Sequence, residues 1–259
     1  MSNQFIDIEN YEGIRVIYLN RPDVRNALGM EMRMELLESL EEAEKDDEVK
    51  CIILSARGKA FSAGGDLKAL HSLSAIEGRQ RLQTSHKLVM KILDLEKPII
   101  AAVNGAAAGA GFSLMLLCDF SIADENAFFV QSFVNVGLIP DFAAIHFLPL
   151  IIGHQKAKEL MFLGDRMTAE EAYSLGLINK LSTGGNLQRD ALALANRLVA
   201  KSPLSIGMTK KLMNQNINVQ LKALLEMEAQ AQGICFQSED FKEGVDAFFS
   251  KREAEFQGK

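Results

Sequence analysis

Two glycine-rich segments, KAFSAGGDLKAL at 59–70 and NGAAAGAGFSLMLLCD at 104–119, each stand between a run patterned as a strand and a run patterned as a helix. A strand that enters a helix through glycine lets another molecule approach the unpaired N–H groups of the first turn, where the helix dipole favours negative charge. Two such junctions confine the chain to an α/β class. Neither has the spacing of a phosphate-binding GxxxxGK[ST] loop or a dinucleotide GxGxxG turn, so nucleotide cofactors lose support. Either loop alone can be a tight turn that needs glycine for close packing. Two N–H donors converging on one oxygen would form an oxyanion hole.

The remaining pattern supports this class. FIDIEN and IRVIYLN alternate apolar and polar residues like half-buried strands, and MEMRMELLESLEEAEK carries the helical spacing Met30, Met34, Leu37. VKCIILSA and KPIIAAV are predicted buried strands, RLQTSHKLVMKILDL a helix, and IGHQKAKELMFLG and AEEAYSLG short helices. Beyond about Leu187 the strand signals stop, and ALALANRLVAK, PLSIGMTKKLMNQ, VQLKALLEMEAQAQGICF and EDFKEGVDAFFSK are four successive amphipathic helical patterns. The expected division is a core domain at 1–190 and a C-terminal helical region at 191–259.

With 48% hydrophobic residues in 259, a core can form without cross-links. Cys51, Cys118 and Cys235 are odd in number and set in apolar stretches, which predicts buried free thiols and a reducing, cytoplasmic setting. The N-terminus lacks the pattern of a signal peptide, and no apolar run has the length of a membrane span. A net charge of −6 argues against nucleic acid as a partner. His71, His146 and His154 show no metal-ligand spacing, so no metal is expected and a structural role is assigned to each.

The segments NRPDVRNAL, KAFSAGGDLKAL, KPIIAAVNGAAAGAG, CDFSIAD, GLIPD, GDRMTAEEAYSLGLINK and AFFSKR, in this order, resemble the crotonase (enoyl-CoA hydratase/isomerase) superfamily over nearly the whole chain. The resemblance implies a spiral of ββα units with a C-terminal helical region, trimers or dimers of trimers, and acyl-CoA thioester substrates. It implies no cofactor beyond the coenzyme A of the substrate. Carried over, the two oxyanion-hole amides fall on Gly65 and Ala110. Ala63 and the segment Gly65, Asp66, Leu67 and Lys68 would line the thioester and pantetheine path. Arg25, Lys68 and Lys251 are candidates for the acidic nucleotide end of coenzyme A, with Lys251 reaching from a neighbouring subunit.

The chain departs from the family's hydratases, which hold a water between two glutamates. The matching positions carry Ser113 and Phe133. A serine hydroxyl is too weak an acid or base at neutral pH without a partner, and phenylalanine has no proton to give. Both residues are expected to border the substrate instead. Asp141 is the only charged residue between Val136 and Gly153. It stands where the family's enoyl-CoA isomerases and the epoxide/oxepin isomerase of phenylacetyl-CoA breakdown have their single working carboxylate. Apolar neighbours Phe133, Leu138, Ile139 and Phe142 would raise its pKa toward that of a useful base. The competing reading is a helix cap, with Pro140-Asp141 opening a helix over FAAIHFL.

The expected function is therefore an acyl-CoA isomerase. A hydratase using Asp141 alone and a non-catalytic acyl-CoA-binding protein are the alternatives. His86 and Asp141 also match the histidine and nucleophilic aspartate of the family's 4-chlorobenzoyl-CoA dehalogenase. Phe133 weakens that match, because the dehalogenase has a tryptophan there.

Overall fold

The computed structural model describes residues 4–70 and 73–259, apart from the side chains of 216–219. His71 and the first three residues lie outside the described residues. Strands β1 (Ile6–Tyr11) and β2 (Ile14–Leu19) form an antiparallel hairpin, followed by helix α1 (Met30–Lys45). One unit then recurs three times. Strands β3 (Cys51–Ala56) and β4 (Ala60–Ser62) lead to α2 (Ala75–Asp94). Strands β5 (Ile99–Val103) and β6 (Ala106–Ala108) lead to α3 (Ala110–Leu116). Strands β7 (Phe120–Asp124) and β8 (Phe128–Val130) lead through a 3-10 turn, Ser132–Val136, to α4 (Ala144–Ile152).

Helix α5 (His154–Leu163), strand β9 (Arg166–Thr168), helix α6 (Ala169–Ser174) and strand β10 (Lys180–Ser182) complete two sheets, ordered β1-β2-β3-β5-β7-β10 and β4-β6-β8-β9. The first strand of each unit joins the large sheet and the second joins the small one. Pairing between successive units is parallel in both sheets, so the chain climbs as a spiral. This is the expected crotonase-like arrangement of ββα units.

Full burial explains why the central strands are continuous apolar runs. Ile52 and Leu54 of β3 pack with α1 and α2, whereas Cys51 and Ile53 face Leu187, Ala191 and Ala195 of α7 (Leu187–Val199). The expected division at 190/191 thus falls inside α7. That helix covers one face of the large sheet. All three cysteines are free, and burial pushes their thiol pKa values up.

The second and third C-terminal patterns are one helix, α8 (Pro203–Cys235), and α9 (Glu239–Ser250) follows. Tertiary contacts hold the polar middle of α8: Asn214 Nδ2 donates to the carbonyl of Leu93 at the end of α2, 2.7 Å away. Lys210 Nζ donates to Asp119 Oδ2 at 2.7 Å, docking the first half of α8 beside β5. Among the described residues no helix is long and apolar enough to cross a membrane.

Candidate active site

The spiral sets the two glycine loops side by side. A side chain built on Gly64 would lie 2.7 Å from the carbonyl oxygen of Ala108 and 3.4 Å from the nitrogen of Ala110, so only glycine permits this approach. Gly64 also has φ 93, a conformation that L side chains rarely adopt. Gly65 faces open space, with only Leu70 Cδ1 within 4 Å of its would-be Cβ. Among the described residues neither the Gly65 N–H nor the Ala110 N–H donates to a protein acceptor. Ala110 is the first residue of α3, so its N–H is one of the donors a helix start leaves free.

A third segment braces the first loop. Leu28 N donates to Gly64 O at 2.7 Å, and Ala63 N donates to Arg25 O at 2.8 Å. Asn26, fully buried, donates to the carbonyls of Arg57 and Ala60 and accepts from Arg21 N. Ala63, Arg25 and Lys68 lie exposed around this loop, while Asp66 and Leu67 are half-buried. Asp66 pairs with Arg21 at 3.7 Å. Lys251 is exposed at the end of α9.

Asp141 is buried and its Oδ1 has no hydrogen-bond partner among the described residues. It does not cap α4. That helix begins at Ala144, with no side-chain cap bond, after Phe142 and Ala143 in left-handed conformations at φ 54 and 59. These two left-handed residues move the helix start beyond reach of the carboxylate.

Burial pushes the Asp141 carboxyl from 3.8 to about 7. Arg33 opposes that rise, Glu228 adds to it, and His86 and Arg81 oppose it more weakly. Phe133, Leu138 and Phe142, the apolar neighbours expected from the sequence, are all buried. Asp141 also feels a charged layer drawn from α1, α2 and α8. Arg33 donates to Leu28 O at 3.0 Å and to Ser85 Oγ at 2.5 Å, and it lies over the Phe142 ring. Glu228 spends both oxygens, one on His86 Nε2 at 3.0 Å and the other on the N–H of Ala143 at 3.1 Å.

Arg33, Arg81, Glu228 and Gln232 were not anticipated. A signal existed for three of them. Arg33 lies on the helical face of Leu36, Leu37 and Leu40, and Glu228 and Gln232 fall among Leu221, Leu225, Ala229 and Phe236, so each is a polar residue on a buried stripe. Ser113, fully buried, donates to the Gly109 carbonyl at 3.2 Å and is occupied as a helix residue. Phe133 packs near Gly109, at the foot of the second loop. His86 is held by Glu228, which leaves the dehalogenase reading without a free histidine at that nitrogen. An open groove of about 610 Å³ along Gln188, Arg189, Leu192 and Asn196 lies on α7 and contains none of these groups.

Comparison with known proteins gives a consistent set. The profile described as enoyl-CoA hydratase/isomerase matches residues 9–259. The crotonyl-CoA hydratase of Syntrophomonas wolfei is 36% identical over 257 residues, covering 99% of each chain. The 1,2-epoxyphenylacetyl-CoA isomerase of Escherichia coli is 35% identical over 260 residues, again covering 99% of each. Among solved structures, the enoyl-CoA hydratase/isomerase of Pseudoalteromonas atlantica superimposes with a TM-score of 0.89 at 31% identity, covering 98% of this chain and 100% of its own.

Proposed function

The chain belongs to the enoyl-CoA hydratase/isomerase family, and from that premise we propose that it is an enoyl-CoA isomerase with Asp141 as its proton shuttle. The observation that carries this reading is the buried Asp141 carboxyl, with an unpartnered oxygen and a pKa raised to about 7. The carboxylate takes a proton from C2 of a 3-enoyl thioester. The C–H electron pair moves into the C1–C2 bond, and the thioester oxygen becomes an enolate oxygen held by the N–H groups of Gly65 and Ala110. Protonation at C4 by the same carboxyl leaves the double bond at C2. The residue ends as it began, and coenzyme A enters only as part of the substrate. A carboxyl balanced near neutral pH serves both steps, since it accepts and returns the proton at similar cost.

Hydration needs a second group to act on water or on the substrate. Positions 113 and 133, where the resemblance puts the hydratases' glutamates, offer a bonded serine and a phenylalanine. Glu228 is no substitute, because both its oxygens are engaged. The hydratase reading keeps a different support, the hydratase names of several relatives, the Syntrophomonas crotonyl-CoA hydratase among them. The test is to incubate the protein with 3-enoyl-CoA and 2-enoyl-CoA and weigh the products. Isomerisation leaves the mass unchanged, and hydration adds one water. We expect isomerisation to dominate and Ser113→Ala to alter turnover by less than about 3-fold. Efficient hydration that collapses in Ser113→Ala defeats the proposal.

The pH dependence follows from the base. Only the ionised carboxyl accepts the first proton, so kcat/KM for isomerisation is expected to rise with pH through a midpoint near 7, read from initial rates at low substrate. We further propose that the chain assembles as trimers or dimers of trimers. The motive is large apolar side chains left exposed on α4, α5, α8 and α9, among them Leu150, Phe162, Met213 and Phe248. Mass measurement in solution is expected to show a multiple of three. A monomer at micromolar concentration removes the intersubunit role of Lys251, and with it one of the cations proposed, with Arg25 and Lys68, for the nucleotide end of coenzyme A.

A further inference from the structure

The short segment that carries Asp141 is gripped on both sides by one face of α8. Gln232 Nε2 donates to the carbonyl of Ile139 at 3.0 Å, and its Oε1 accepts from the N–H of Ile139, also at 3.0 Å. One turn earlier, Glu228 accepts from the N–H of Ala143. The two bonded residues stand two before and two after Asp141. His86 of α2 holds the other oxygen of Glu228, tying the grip to a second helix. Helix α9 closes on the preceding turn, where a side chain on Gly244 would lie 2.6 Å from Val136 Cα.

The segment needs such a grip. Phe142 and Ala143 are both left-handed, a conformation that L residues adopt only under strain. Such strain persists only where surrounding contacts over-determine it, and the bond from Ala143 to the charged acceptor Glu228 offsets part of it. Gln232 and Glu228 are themselves buried, at 1% and 2% exposure, so their bonds form without competition from water. A buried glutamine that satisfies a single residue's N–H and C=O fixes that residue's peptide planes rather than filling space.

We propose that Glu228 and Gln232 are positioning residues for Asp141, a clamp through which the C-terminal helix α8 sets the height and direction of the carboxylate. The clamp rests on the reading of Asp141 as the base. It also gives α8 a part in the chemistry although both residues are buried and bonded to protein groups. Asp141 is faced by Arg33 from α1, by Arg81 and His86 from α2, and by Glu228 from α8. Of these charges only Glu228 is altered by the clamp substitutions.

Three variants test it, each measured for turnover and by infrared difference spectroscopy, in which the protonated Asp141 carboxyl is the band that Asp141→Asn lacks. Gln232→Met keeps the volume and loses both bonds. It is expected to lower kcat by about 10- to 100-fold with KM within about 3-fold of wild type, the signature of a displaced catalytic group. Its carboxyl, released toward water, should titrate well below the wild-type midpoint. Glu228→Gln keeps an acceptor for Ala143 and removes a negative charge, so it should hold most of the turnover while its infrared midpoint falls by about 0.5–1 pH unit. Glu228→Ala should lose turnover as Gln232→Met does, and the glutamine variant should rescue it. Where Gln232→Met does not fold, Gln232→Asn keeps the amide uncharged, withdraws it by one methylene from Ile139, and reads the same loss.

Wild-type kcat in Gln232→Met, or a wild-type infrared midpoint in both Gln232→Met and Glu228→Gln, overturns the clamp. If the wild-type protein does not isomerise enoyl thioesters, the proposed function falls. The infrared midpoints then decide the clamp alone.

Discussion

Asp141→Asn is expected to lower isomerisation of a 3-enoyl-CoA by about 10²–10⁴-fold, the usual cost of losing a general base, and at the same time to make the protein more stable above neutral pH. The second half of this result follows from linkage. A carboxyl whose pKa rises on folding from 3.8 to about 7 binds its proton more tightly folded than unfolded. The stability this provides is complete below the unfolded value, drains away between the two, and is gone above about 7. Asparagine resembles the protonated acid at every pH. The variant should therefore match wild type near pH 4 and exceed it at pH 8, by roughly 1–4 kcal/mol. Melting temperatures of both proteins across that range, with turnover measured alongside, check both halves. A helix cap behaves oppositely: turnover would stay near normal, and Asp141→Ala would cost about 1 kcal/mol. Normal isomerisation by Asp141→Asn would falsify the assignment of the base.

The adjacent glycines of the first loop should respond in opposite ways. Gly64→Ala puts a methyl 2.7 Å from the carbonyl oxygen of Ala108 and demands a left-handed alanine. Strain and overpacking together should cost about 2–4 kcal/mol. The loops can relax only by separating, which pulls the Gly65 and Ala110 amides away from a common oxygen, and loss of one such donor costs about 10²–10³ in kcat. Gly65→Ala adds its methyl to open space and does not require a left-handed φ, so it should keep or slightly raise stability, by up to about 1 kcal/mol. Thermal unfolding and kcat for the pair separate this account from one in which both glycines are merely loop residues. Equal stability losses in the two variants defeat it.

Much of this architecture is legible in the sequence because its central strands are buried on both faces. Runs such as CIIL and IIAAV are continuously apolar, and short-range pattern suffices to identify them. The glycine loops stand out for a similar local reason, since a residue without a side chain marks a place where another backbone approaches. The continuity of α8 was hidden. Its two halves read as separate amphipathic patterns, and only the docked structure joins them, with Asn214 bonded to the Leu93 carbonyl near the middle.

Local pattern marked the candidate as one carboxylate in an apolar stretch after a proline, where a cap and a base read alike, and the resemblance to the family gave it the role of base. What the sequence by itself determined is therefore the α/β class, the two loops, and the presence of Asp141 where burial must raise its pKa. The tertiary structure alone decided what surrounds that carboxylate. Arg33, His86, Glu228 and Gln232 come from three helices separated by up to about two hundred residues along the chain, and nothing in their local patterns specifies a common neighbour. Charge acts through space over several ångströms, and a hydrogen bond needs two partners in register, so both depend on how the spiral and the C-terminal helix dock. Docking also decided the fate of the helix cap, because left-handed Phe142 and Ala143, with Glu228 holding the Ala143 N–H, move the start of α4 away from Asp141 and leave one carboxylate oxygen free.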